Sequence, residues 1–378
     1  MAANGSASFR NEVLPTFAPT AFVTEAISAI TATNTAVPPT ETPTQTATAT
    51  PLPTNTATPT KTPTATATIT PSPTDTATPA PPTNTPEPVP TLEPTAELPP
   101  TEPPPPPPPA SNPILDLNPV PGQPQGFLDK FRVVSFYGSP MGSGLGVLGD
   151  QIRSKTLRIL RTSYVPEYQA YSDKLVLPGY HIVSTVANSS PPDYRHHLEL
   201  GIIEEWVASA KQDGVVVFLD IQPGRANLMD EFNRIRYLLY EPHVHLALDP
   251  EFAMNEEQVA GVNIGQIYAA QINEIQLQMN SIGYEIGVNK VLVLHQFKDS
   301  MLPDKALIEG YPFVEMVIDG DGYGPAGPKI RNYLQYAGEP GFEYGGFKLF
   351  PTDGDSPLLT PDQVMTALYP PPSIVIYQ

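Results

Sequence analysis

Six β-rich runs in the second half of the chain end on side chains that can move protons or ligate a cation. VVSFYGS closes on Tyr137 and Ser139, VVVFLDIQ on Asp220 and Gln222, and HLALDPE on Asp249 and Glu251. VLVLHQ closes on His295 and Gln296, EMVIDGD on Asp319 and Asp321, and GGFKLF on Lys348. Side chains alternate across a strand, so Phe218, Asp220 and Gln222 share one face, as do Ala247, Asp249 and Glu251 on the next run. Val293 and His295 share a face, and so do Val317, Asp319 and Asp321. A lone strand-end Asp more often caps a helix than catalyses. In-phase carboxylates on three strands argue instead for a common site. Two chemistries suit them. Paired carboxylates serve as general acid and base. Asp220, Asp249, Glu251, His295 and Asp319 together would suit a divalent cation, which could activate water. No HExxH spacing accompanies them, so no residue is assigned as a metal ligand and a divalent metal stays an alternative.

The elements that position these residues alternate. Strands are expected over 131–137, 181–187, 214–222, 243–248, 290–296, 313–319, 346–350 and 373–378. Helical stretches fall between them over about 150–172 (interrupted at Pro166), 198–212, 226–240, 264–282, 304–309, 328–336 and 360–368. Eight strands alternating with about seven helices predict an α/β fold, a (β/α)8 TIM-like barrel lacking its last helix. Polar strand ends in such a barrel point into one mouth. The segment from Pro113 to Leu128 is expected to cover the uncovered position or the barrel bottom, with Gln378 at the mouth. Gly144, Gly146 and Gly149 have GxGxxG spacing. No acidic residue closes the second strand, so they read as a tight βα loop. The His243-x-His245 pair at a strand start reads as structural, and His196-His197 as solvated or capping.

Composition divides the chain at about Gly126. Of its 378 residues and 50 Pro, 31 Pro precede that point, whereas all 17 Tyr and Trp206 follow it. Residues 1–125 therefore read as a disordered Pro/Thr-rich tail and stalk, and 126–378 as the barrel domain. Thr, Ala and Pro supply too little apolar area for a core, so the tail is expected to be an extended spacer. The formal net charge of −19 and absence of a basic patch argue against nucleic-acid binding. No apolar run is long enough for a transmembrane segment, no signal peptide is visible, and zero Cys removes thiolate chemistry.

The Asp249-Pro250-Glu251 sequence at a strand end resembles the acid-bearing strand of TIM-barrel glycoside hydrolases, in whose chitinase-like members an Asp two residues earlier orients the acidic Glu. That resemblance implies Glu251 as general acid and Asp249 as its neighbour. It departs from the family in lacking the Asp-rich run before the pair and a Glu on the seventh strand. Asp220 or Asp319 would be base or stabiliser. Tyr137, Gln222, Arg225, His295, Gln296, Asp321, Lys348 and Tyr377 complete the substrate-binding set. Through GLGVLGD, VFLDIQPGRA, EPHVHLALDPEF, KVLVLHQF and IVIYQ, the domain also resembles uncharacterised bacterial surface and lipoprotein-like proteins that join a Pro/Thr stalk to a TIM-like barrel. The expectation is an extracellular or surface-attached bacterial protein that hydrolyses a glycan or cell-wall polymer. The alternatives are a metal-dependent hydrolase or a noncatalytic binding barrel.

Overall fold

A computed structural model describes residues 112–114, 117–352 and 354–378. Residues 1–111, which hold most of the Pro/Thr tail, lie outside the described residues, as does Asp353. Eight parallel strands close into a barrel: β1 (Phe131–Gly138), β2 (Leu175–Ala187), β4 (Val216–Ile221), β5 (Val244–Leu248), β6 (Lys290–Gln296), β7 (Val314–Gly320), β8 (Tyr344–Leu349) and β9 (Ile374–Tyr377). The pairing of β1 with both β2 and β9 closes the ring. One strand was not anticipated. The short β3 (Arg195–His197) runs antiparallel along the end of β2. Glu231 holds it with a 2.7 Å contact to Arg195 and another to His197, so His197 is paired rather than simply solvated.

Helices cover the outside because each presents an apolar stripe. In α4 (Leu200–Asp213), Ile203, Trp206, Val207 and Ala210 are buried, and left-handed Gly214 ends the helix. Asn227 caps α5 (Leu228–Ile235) by accepting from the Met229 and Asp230 amides. The predicted helix starting at 264 begins later, as α6 (Ala269–Ile286), where Tyr268 and Gln271 form a capping box. Pro166 does not simply break its helix. A π-turn over Leu160–Tyr164 separates α2 (Arg153–Ile159) from α3 (Val165–Gln169) and places Pro166 in the first turn of α3. The stretch near 304–309 forms only a short 3-10 turn over Lys305–Leu307. The last two helices are α7 (Ala326–Tyr336) and α8 (Pro361–Ala367).

Among the described residues no helix follows β9, and α3 packs against α8 on the outside of the barrel. Tyr377 points outward here, its ring 4.6 Å from Tyr164 and its hydroxyl 2.8 Å from that of Tyr168. Gly146 and Gly149 of the β1–α2 loop serve close packing, whereas Gly142 and Gly144 face open space. Gly146 has φ +140°, and a Cβ there would sit 2.5 Å from the Tyr137 carbonyl.

The barrel bottom is closed by the segment before β1. Asn112 Nδ2 donates to the Lys211 carbonyl at 2.8 Å, and the Gly122 amide donates to Tyr284. The short α1 (Phe127–Lys130) places Phe127 in the inner core, 4.5 Å from the His245 ring. Its first amides donate to a buried carboxylate on β7: Phe127 N to Glu315 Oε1 at 2.6 Å, and Leu128 N to Oε2 at 2.8 Å. His243 and His245 lie at this end, bonded to the Val207 carbonyl and the Val291 amide, so the structural reading of that pair fits.

Burial pushes the Glu315 carboxyl up to about 7, against the pull of the two amides. A carboxyl raised above its ordinary 4.5 favours the fold most while protonated. That contribution is complete below 4.5 and is lost as pH rises through about 7. Glu315→Gln should therefore flatten the decline of stability over this window. Urea unfolding of both proteins from pH 4 to 8 checks it: the difference in unfolding free energy between them should change across the window and level off above it.

Candidate active site

The inward positions of each strand follow from alternation and stack into layers. Near the C-terminal end of the barrel these positions carry Tyr137 on β1, His181 on β2, Asp220 on β4, His295 on β6, Asp319 on β7 and Lys348 on β8. Asp249, Glu251 and Asp321 come just past the ends of β5 and β7. Small residues make the space. A Cβ on Gly346 would lie 2.9 Å from Asp319 Oδ1, so β8 needs a glycine where β7 carries an inward Asp.

His295 is the centre of the lower layer. Its Nδ1 lies 2.8 Å from Asp319 Oδ2 and 3.4 Å from Asp321 Oδ2. Its Nε2 faces Asp220 Oδ2 at 3.4 Å, and His181 Nε2 approaches the same oxygen to 3.5 Å. Both contacts are within ion-pair range but lack hydrogen-bond geometry. His181, Asp220, His295 and Asp319 are fully buried. Burial and Lys348 push the His295 imidazole down, but the carboxylates on either side overcome them and hold it well above its ordinary value. Burial likewise pushes Asp220 up, yet His295 and His181 hold it well below the usual carboxylate range. Burial drives His181 down to about 4, so it is neutral.

Tyr137 divides this layer from a cavity of about 570 Å³ at the strand C-termini. Its ring is 5.0 Å from His181 and 6.0 Å from His295. Gln222 Nε2 donates to its hydroxyl at 3.1 Å, and Lys348 Nζ sits 3.9 Å from the ring centroid. Lys348 also pairs with Asp321 at 3.1 Å. Asp249 Oδ1 accepts from the Glu251 amide at 3.2 Å, capping the turn Pro250–Phe252 and fixing the Glu251 backbone. Burial, reinforced by Asp220 and Asp321, pushes Asp249 well above the carboxylate range. Glu251 is half-buried, and burial together with the Asp321 charge raises it too. Phe252, Phe297, Tyr323 and Phe350 supply the apolar walls.

Six predicted residues therefore line the cavity: Tyr137, Gln222, Asp249, Glu251, Asp321 and Lys348; Gln378 joins them. Asp220, His295 and Asp319 are fully buried beneath it and are not among its lining residues, whereas Asp220 and Asp319 were expected at the mouth as base or stabiliser. Three others are displaced from the mouth. Tyr377 faces the outer helices, because β9 turns Ile374 and Ile376 inward. Gln296 is out of phase with His295 and donates to the Lys298 carbonyl. Arg225 stacks 3.6 Å over Tyr194 and donates to the Gln258 carbonyl, so it pairs with neither Asp249 nor an anion in the cavity.

His181 was missed. The second strand was expected over 181–187, but β2 starts at Leu175 and carries Pro178 between inward Leu177 and Gly179. The β-branched and apolar residues on both sides of Pro178 and Gly179 were the available signal. No family model matches the chain, and no curated protein matches it.

Lys348 is almost fully buried and partners Asp321. Removing one member of such a pair leaves the other charge uncompensated. Lys348→Met should cost about 3–5 kcal/mol, and adding Asp321→Asn should recover part of it. Denaturant unfolding of the single and double variants reads the coupling; additive losses would show that the pair is not coupled.

Proposed function

We propose that the cavity hydrolyses a glycan or related polymer, with Glu251 as general acid. The observation that carries this reading is a half-buried Glu, raised above its ordinary value, that shares the cavity with the Asp321 carboxylate and aromatic walls. A raised carboxyl keeps its proton closer to neutrality, which an acid protonating a glycosidic oxygen requires. Phe252, Phe297, Tyr323 and Phe350 offer faces on which sugar rings stack, with Tyr323 exposed at the rim. Asp321, which lines the cavity and pairs with Lys348, would serve as base or nucleophile. Asp249, which burial pushes well above the carboxylate range, orients the Glu251 turn by accepting from its amide. The Pro/Thr-rich tail of the sequence fits display of this domain on a cell surface or outside the cell.

The test is reducing-end release from a panel of polysaccharides by the full chain. Glu251→Gln should lower turnover about 10²–10⁴-fold with unfolding unchanged. In the wild type, activity should fall as pH rises through the raised Glu251 value, because the proton donor is lost. Full turnover in Glu251→Gln, or no hydrolysis of any glycan by the wild type, would refute the assignment.

A further inference from the structure

Beneath the cavity, five buried polar atoms on three neighbouring side chains make no hydrogen bond among the described residues: both ring nitrogens of His181, both oxygens of Asp220 and Nε2 of His295; Asp319 Oδ1 is open as well. Buried polar groups are normally satisfied, and three adjacent side chains left open together need a common partner. We propose that His181, Asp220 and His295 bind one divalent first-row transition-metal ion under the cavity floor.

Donor atoms of the three lie within 4.8 Å of one another. Asp220 Oδ2 is 3.5 Å from His181 Nε2 and 3.4 Å from His295 Nε2. Two ligands each about 2.1 Å from a tetrahedral ion stand about 3.4 Å apart. The contacts are longer than an ordinary N–H···O hydrogen bond and lack its geometry, and their spacing matches shared coordination. His295, Asp319 and Asp321 form a second close group, but the 2.8 Å His295–Asp319 contact is a hydrogen bond and leaves no room for an ion between them. Asp319 is instead the outer partner. By holding Nδ1 it turns Nε2 toward Asp220, as carboxylates do for metal-bound histidines. Two imidazoles and one carboxylate, with no thiolate, suit Zn²⁺ and its neighbours over Ca²⁺ or Mg²⁺.

The ion would brace β2, β4 and β6 from inside and support Tyr137, without touching substrate. Its binding is read without turnover, so it stands apart from the Glu251 assignment.

The full chain, dialysed against EDTA and then buffer, should take up one Zn²⁺ per chain and melt at higher temperature with it. X-ray absorption should show nitrogen and oxygen ligands at about 2.0–2.2 Å, with the outer-ring scattering of two imidazoles. Asp220→Asn and His181→Gln should each lose the stoichiometric ion, and Asp319→Asn should bind it about 10–100-fold more weakly. The wild-type absorption spectrum keeps the test decisive should a variant fail to fold. No tight Zn²⁺ in the wild type, a shell lacking two imidazoles, or undiminished binding in both Asp220→Asn and His181→Gln would overturn the site. The last result would place the ion elsewhere, with His196–His197 the first place to look.

Discussion

Charge compensation inside a dry barrel governs this structure. A buried ion without a partner costs several kcal/mol, and the upper barrel holds acidic groups from three strands. They are tolerated because His295 and Lys348 stand among them, each facing more than one carboxylate. The arrangement fixes much else: Gly346 must lack a side chain to admit Asp319, and Lys348 must cross the Tyr137 ring to reach Asp321. Each of these residues is determined by its neighbours' charge more than by its own propensity.

The two barrel ends use buried carboxylates differently. At the bottom, Glu315 takes two backbone amides and an Asn289 contact, so its hydrogen-bonding capacity is spent on closing the fold. At the top, Asp220 satisfies neither oxygen within hydrogen-bond geometry. The contrast matches the division of an α/β barrel into a face that stabilises and a face that acts. It also separates two kinds of raised carboxyl. Glu315 is raised inside a satisfied network, whereas Asp249 and Glu251 are raised beside open space.

The barrel was legible in the sequence because its signals are local. Alternating β-branched runs and helical stripes depend on a few neighbouring residues, and they placed all eight barrel strands. The phase of a strand was legible wherever its run was unbroken, which is why Asp249, Glu251 and Asp321 were expected at the mouth. Depth was not legible. Asp220 and Asp319 share the inward phase of the cavity residues, yet one pleat decides whether a side chain reaches solvent or the layer beneath. Tyr377 failed for the related reason that phase at a short final strand is set by its partners, β8 and β1, which are far away in sequence. The aromatic walls were hidden because Phe252 and Phe297 sit in loops without periodicity.

Tyr137 connects the two layers and limits what each can do. Its ring lies over the buried histidines, and its hydroxyl is held by Gln222, which also lines the cavity. Whatever charge the lower layer carries reaches a bound substrate only as a field through this ring and through Lys348 above it. Such a field is strong where the walls exclude water. Burial and the neighbouring carboxylates already push the Tyr137 phenol well above its ordinary value, so it stays neutral and acts as a floor. In the proposed hydrolysis the reacting groups would therefore be those above that floor, and the groups below it would set the potential in which they work.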